Sequence, residues 1–147
     1  MFHRILVATD GTVLSDKAIT SAIDLAAENR AELVALTVVP RYARSYYDGM
    51  VVFTNEEIAR IEGKSVHEAQ SRLDAVGERA EASGVKVKTA TVVSDMVAES
   101  IIAAAKKHKS DLIVMASHGR KGIARLLLGS ETQHVLTHST LPVLVLR

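Results

Sequence analysis

Residues 111–119 read Asp-Leu-Ile-Val-Met-Ala-Ser-His-Gly, and this stretch decides the fold. Leu112 to Ala116 is apolar throughout, with no polar alternation. So short a run is a strand, and one with no polar face is covered on both sides, as in parallel sheets. It empties into Ser117-His118-Gly119, a glycine-bearing loop that reaches Gly129. Upstream, Phe2 to Thr9 holds a run of the same kind, Ile5-Leu6-Val7-Ala8, and Leu33 to Val39 is another, ended by Pro40.

Between these runs the apolar spacing turns helical. Ser15 to Asn29 carries Ala18, Ala22, Leu25 and Ala26. Thr54-Asn55-Glu56-Glu57 has the spacing of a capping box. It opens a long helix with Ile58, Ile61, Leu73, Val76 and Ala80 that stops near Gly84. Val85-Lys86-Val87-Lys88 alternates and reads as the third strand. Ser94 caps a helix expected from about Asp95 to His108, with Val97, Ile101, Ile102 and Ala105 inward. Ser130-Glu131-Thr132-Gln133 has the spacing of a second capping box, opening a helix to about His138, and Val143 to Leu146 is the last strand. Arg41 to Phe53 has no periodicity and reads as a surface loop.

Strand and helix thus alternate five strands deep, which predicts one α/β domain over 1–147: an open parallel sheet with helices on both faces. The third strand mixes Val with Lys, and the fifth follows Pro142, so both suit edges. The order 3-2-1-4-5 satisfies this and reverses direction between the first and fourth strands. Ligands of open α/β sheets bind at such a switch point, beyond the carboxyl ends of the strands. The segments there are Thr9-Asp10-Gly11-Thr12 and Ala116-Ser117-His118-Gly119. The wholly apolar edge Val143-Leu144-Val145-Leu146 templates pairing with another chain, which predicts a two-fold dimer.

Composition narrows the function. The chain has 147 residues, 48% hydrophobic and 24% charged, with net charge +1, which argues against nucleic acid or a membrane surface as partner. With no cysteine, thiol catalysis and disulfides are excluded. Neither a signal peptide nor an apolar run near the roughly 18 residues of a membrane span is present, so a cytoplasmic protein is expected. Aromatics are only 3%, so the core is aliphatic.

The loop after the fourth strand, with Gly119, Gly122 and Gly129-Ser130, has the chemistry of an anion site. Glycine lets amides approach closely, and a helix start adds partial positive charge. Ser130 offers a hydroxyl, for which capping competes, and Arg120, Lys121 and Arg125 add charge. Neither G-x-x-x-x-G-K-[ST] nor G-x-G-x-x-G occurs, so the residues alone leave a plain strand-to-helix connection equally open.

Over essentially its whole length the chain resembles the universal stress proteins. The matching pieces are Ile5 to Gly11, Leu36 to Val39, Asp111 to Arg120, Leu126 to Ser130 and Pro142 to Leu146. The resemblance implies a Rossmann-like, adenine nucleotide alpha hydrolase-like fold. ATP-binding members carry G-x-x-G, nine residues, then G-[ST]. Gly119, residues 120–128 and Gly129-Ser130 fit, while Ala116 stands at the first glycine. What it implies further is an adenine nucleotide, ATP with Mg²⁺ as the expected cofactor, and a dimer through the last strand. By the same resemblance Asp10 meets the ribose; the reading of the chain as an enzyme makes its carboxylate the candidate for Mg²⁺ through the phosphates. Ala8 and Val38 lie by the base, Met115 lines the pocket floor, and Gly119, Gly129, Ser130 and Glu131 lie by the phosphates; Thr9, Ala116, Ser117, His118, Arg120, Gly122 and Thr132 complete the expected nucleotide-binding set.

Other readings of the residues stay open here. The fold also serves dimeric interaction proteins that hold no nucleotide, and a slow ATPase is a third reading. Arg41, Tyr42, Arg44, Tyr46 and Tyr47 interleave charge with rings as base-stacking surfaces do, against which stands the near-neutral charge. His134 and His138 have the spacing of two zinc ligands on a helix, with no third ligand evident. His118 either meets phosphate or fills the loop. The protein client is not named by any motif.

Overall fold

The computed structural model describes residues 1–41, 46–47, 50–51, 53–119 and 127–147, with 46–47 and 50–51 described as backbone only. Its elements are β1 (Arg4–Ala8), α1 (Val13–Asn29), β2 (Glu32–Val39), β3 (Tyr46–Tyr47), β4 (Met50–Val51), α2 (Asn55–Ala82), β5 (Val87–Val93), α3 (Val97–Lys107), β6 (Leu112–Ala116), α4 (Ser130–His138) and β7 (Val143–Leu146). The main sheet is parallel in the order β5-β2-β1-β6-β7. That is the expected order 3-2-1-4-5, with the short antiparallel pair β3–β4 set apart.

Side chains alternate across the sheet, and this divides the core in two. Ile5, Val7, Leu33, Ala35, Leu112 and Val114 face α1 and α2. Leu6, Val34, Leu36, Ile113 and Met115 face α3 and α4. Ala18, Ala22 and Ala26 are fully buried, so the small face of α1 lies close on the strands. All five buried residues of α2 fall between Ala69 and Ala80. Its first half therefore contributes none of the fully buried core.

Four expectations need correction. The third strand begins at Val87 and runs to Val93, because it pairs with β2 from Leu33↔Val87 to Val39↔Val93; Val85 is instead buried in the core. Ser94 does not cap α3. Its hydroxyl accepts from Met96 N–H at 3.0 Å, and Met96 stands at the N-cap. Tyr46–Tyr47 and Met50–Val51 form a small ladder inside the segment expected to lack structure. The fourth correction, at Ser130, belongs to the site below. The box at Thr54 is present, with Glu57 N–H on Thr54 Oγ1 and Glu57 Oε2 receiving Thr54 N–H.

At the pole where the strands begin, polar groups pin their ends. Asp111 accepts the amides of His3 at 2.8 Å and Arg4 at 3.0 Å. Burial pushes its carboxyl up, but these amides outweigh that and hold it below the ordinary carboxylate range. Arg4 donates to Glu32 Oε2 and to His108 C=O, and with Lys86 it holds Glu32 below its ordinary value too. β1, β2 and β6 are thus fixed where they start, and their other ends can be spent on a site.

Candidate functional site

β1 stops at Ala8, which pairs with Leu36, while β2 continues through Thr37, Val38 and Val39. The chain leaves β1 in a turn set by hydroxyls. Asp10 Oδ1 accepts from Thr12 N–H at 3.0 Å and Thr12 Oγ1 at 2.6 Å. Thr12 Oγ1 accepts Ser15 N–H at 3.2 Å, so Thr12 caps α1. Gly11 has φ +81°, a conformation other residues rarely adopt, and its amide donates to Thr9 Oγ1. Behind the turn, Thr9 Oγ1 lies 3.0 Å from Ser15 Oγ, and Thr37 Oγ1 donates to Thr9 C=O. Asp10 is therefore oriented by the turn itself.

The other wall starts where β6 ends. Ser117 N–H donates to Leu146 C=O and Gly129 N–H donates to Ser117 C=O, both at 2.7 Å. The second bond closes the two ends of the loop on each other. A β-carbon on Gly129 would lie 3.1 Å from His118 Cα and 3.3 Å from Ser117 O. The φ there is −61°, so what glycine provides is close approach and not backbone freedom. Across the crevice, a β-carbon on Gly119 would lie 2.8 Å from Asp10 Oδ2. The two strand ends meet at this point.

Gly129 also explains the fourth correction. The N-cap of α4 is Gly129, not Ser130, because its amide is already held by Ser117 and the helix turns from there. Gln133 does not close a capping box; its side chain donates to Leu128 C=O at 2.9 Å. No side chain among the described residues caps the helix, and the first intrahelical amide bond is Gln133 N–H to Gly129 C=O. The amides of Ser130, Glu131 and Thr132 thus have no helical acceptor. Exposed Ser130 is released from capping.

Several expected site residues have structural duties. Thr132 is buried and its hydroxyl donates to Ala116 C=O at 2.9 Å. Glu131 reaches sideways, its Oε2 accepting Ala98 N–H at the start of α3. Thr9, Ser117 and Met115 are buried, and Met115 belongs to the core under the crevice. His118 Nδ1 lies 3.1 Å from Ser117 Oγ. Ala116 sits in extended β6, outside the left-handed region, so alanine in place of glycine strains nothing there. Arg120 and Gly122, like Lys121, Arg125, Tyr42 and Arg44, lie outside the described residues. His134 Nε2 meets Glu99 Oε1 at 3.1 Å, and among the described residues no three His, Cys, Asp or Glu gather as metal ligands. The hydroxyls of Thr12, Ser15 and Thr37 were missed. The Thr12-x-x-Ser15 cap after Asp10-Gly11 was the signal that could have found two of them.

The model of the universal stress protein family matches residues 1–147. The chain belongs to the universal stress protein family. Universal stress protein MJ0531 of Methanocaldococcus jannaschii is 35% identical over 147 residues, which take in 100% of this chain and 83% of that one. The solved structure of hypothetical protein MJ0577 from the same organism matches with TM-score 0.83 at 28% identity, over 99% of this chain and 96% of that one. A universal stress protein solved in complex with cAMP matches with TM-score 0.68 at 26% identity, over 99% and 97%. This universal stress protein shares its overall fold with the two solved structures, and in it the sheet reverses direction between β1 and β6. No helix among its described residues is long and apolar enough to cross a membrane.

Proposed function

We propose that this universal stress protein binds an adenine nucleotide, ATP with Mg²⁺, in the crevice between β1 and β6, and works as a nucleotide-dependent binding module toward a protein client. The observation that carries this is the start of α4, capped by no described side chain and set by Gly129 beside Ser117 and opposite Asp10. Three amides without helical acceptors and a helix dipole form a receptor for phosphate oxygens. A side chain at 119 or 129 would crowd the neighbouring walls. The relative solved with cAMP supports an adenine nucleotide as the ligand class.

In this reading Gly119, Gly129, Ser130, Glu131 and Thr132 meet phosphate through main-chain amides, with the Ser130 hydroxyl beside them. Arg120 and Gly122 belong to the same loop. Ala8, Thr9 and Val38 border the base where β2 overhangs β1, and Asp10 takes the ribose and accompanying Mg²⁺. Calorimetry of the purified protein with Mg–ATP should give saturable binding with one site per chain. Phosphate release should stay below about 1 s⁻¹, the lower end of ordinary enzyme turnover. Absence of heat with ATP, ADP, AMP and cAMP at millimolar concentration would defeat the reading.

We further propose a homodimer through β7. This strand is at the sheet edge, its sequence is Val-Leu-Val-Leu, and Leu144 is 36% exposed. An apolar edge of this kind is completed by a second copy. Sedimentation should give twice the 15.8 kDa chain mass. Leu144→Lys should shift it toward the monomer, and an unshifted dimer would put the contact elsewhere.

A further inference from the structure

Arg72 lies on α2, outside every motif that marks the crevice, yet its side chain is laid across the turn that carries Asp10. A β-carbon on Gly11 would be 2.9 Å from Arg72 Nε, 3.2 Å from its Cδ and 3.3 Å from its Cζ. Gly11 follows Asp10 directly, and consecutive Cα atoms are about 3.8 Å apart, so the guanidinium stands one residue from the crevice.

The placement is not what the helix alone would choose. Glu68 precedes Arg72 by one helical turn, the spacing at which acid and base pair on a helix face. No such pair forms, and Arg72 makes no hydrogen bond or ion pair with any described residue. Arg79, two turns further along α2, is by contrast engaged by Asp16 and Thr20 of α1. Arg72 is thus a solvent-exposed cation, stacked by its stem on a glycine that leaves room for it.

The crevice calls for such a charge. ATP brings several negative charges beside Asp10, and like charges repel at close range. A planar guanidinium matches phosphate oxygens with paired N–H groups. We propose that Arg72 is a specificity-determining residue of the nucleotide site, donating to a phosphate that lies over the Asp10–Thr12 turn and so selecting polyphosphate nucleotides over adenosine. This rests on the crevice being an adenine-nucleotide site, as proposed above.

The test compares ATP, AMP and adenosine by calorimetry on the unaltered protein, Arg72→Met and Arg72→Lys. Methionine keeps an unbranched stem over Gly11 and removes the charge; lysine keeps the charge and removes the fork. Arg72→Met should bind ATP about tenfold more weakly and adenosine as before. Arg72→Lys should fall between, and the ATP-to-adenosine ratio should drop more steeply with rising salt where position 72 carries a cation than in Arg72→Met. An equal loss for ATP and adenosine would make Arg72 a structural support and overturn the inference. So would unchanged ATP affinity in Arg72→Met, with the nucleotide site still standing. An unaltered protein that binds none of the three overturns both.

Discussion

Gly129→Val should lower ATP affinity at least tenfold, about 1.4 kcal/mol. The backbone at Gly129 has φ −61° and ψ 153°, which valine adopts readily, so the effect is steric and not conformational. Its β-carbon alone would stand 3.1 Å from His118 Cα, and two further methyls have to be placed around it. The bond from Gly129 N–H to Ser117 C=O must open to admit them. The start of α4 then moves away from Gly119 and Asp10, and the amides proposed to hold phosphate no longer converge. Overpacking of this kind also costs about 1–3 kcal/mol of stability. Circular dichroism should show a folded protein with a lowered melting temperature, and calorimetry should show the weakened site. Gly129→Ala, with one carbon to accommodate, should do less of both. A folded valine variant that binds ATP as tightly as the unaltered protein would remove α4 from the site.

Leu73→Ala should destabilise the fold by about 2–5 kcal/mol, by the lost burial and the cavity left behind. Leu73 has no exposed surface and packs into the cluster formed by β1, β2, α1 and the second half of α2. The loss is a large part of the roughly 5–15 kcal/mol that holds a domain together. For a chain of this size it corresponds to a fall of about 6–15 °C in melting temperature. Leu136→Ala, at an apolar side chain of α4 that is 41% exposed, should change stability little. Equal effects from the two would mean that α2 is not pinned to the sheet as described.

Much of the architecture is legible in the residues because burial on both faces leaves a plain signature. Ile5 to Ala8, Leu33 to Val39 and Leu112 to Ala116 carry no polar alternation, and they are the three central strands. Lys among valines and Pro142 marked the two edges for the same reason. Lys86 and Lys88 mimic alternation and place the start of the third strand two residues too early. Its true extent is set by the ladder to β2, which no local pattern contains.

The crevice divides along the same line. Amino-acid order alone determined which chain segments lie at the switch point, since the alternation of strands and helices permits few topologies, and it placed Asp10, Gly119 and Gly129 at their ends. Only the three-dimensional structure decided what those residues do. Gly129, not Ser130, stands at the N-cap of α4, because its amide is taken by a carbonyl twelve residues earlier in the chain. Glu131 and Thr132 are drawn to α3 and β6, and Arg72 comes to rest on Gly11 from a helix sixty residues away. Periodicity reports which face of an element is buried. Hydrogen-bond partners and close approaches depend on distances between remote segments, and these exist only once the sheet has assembled.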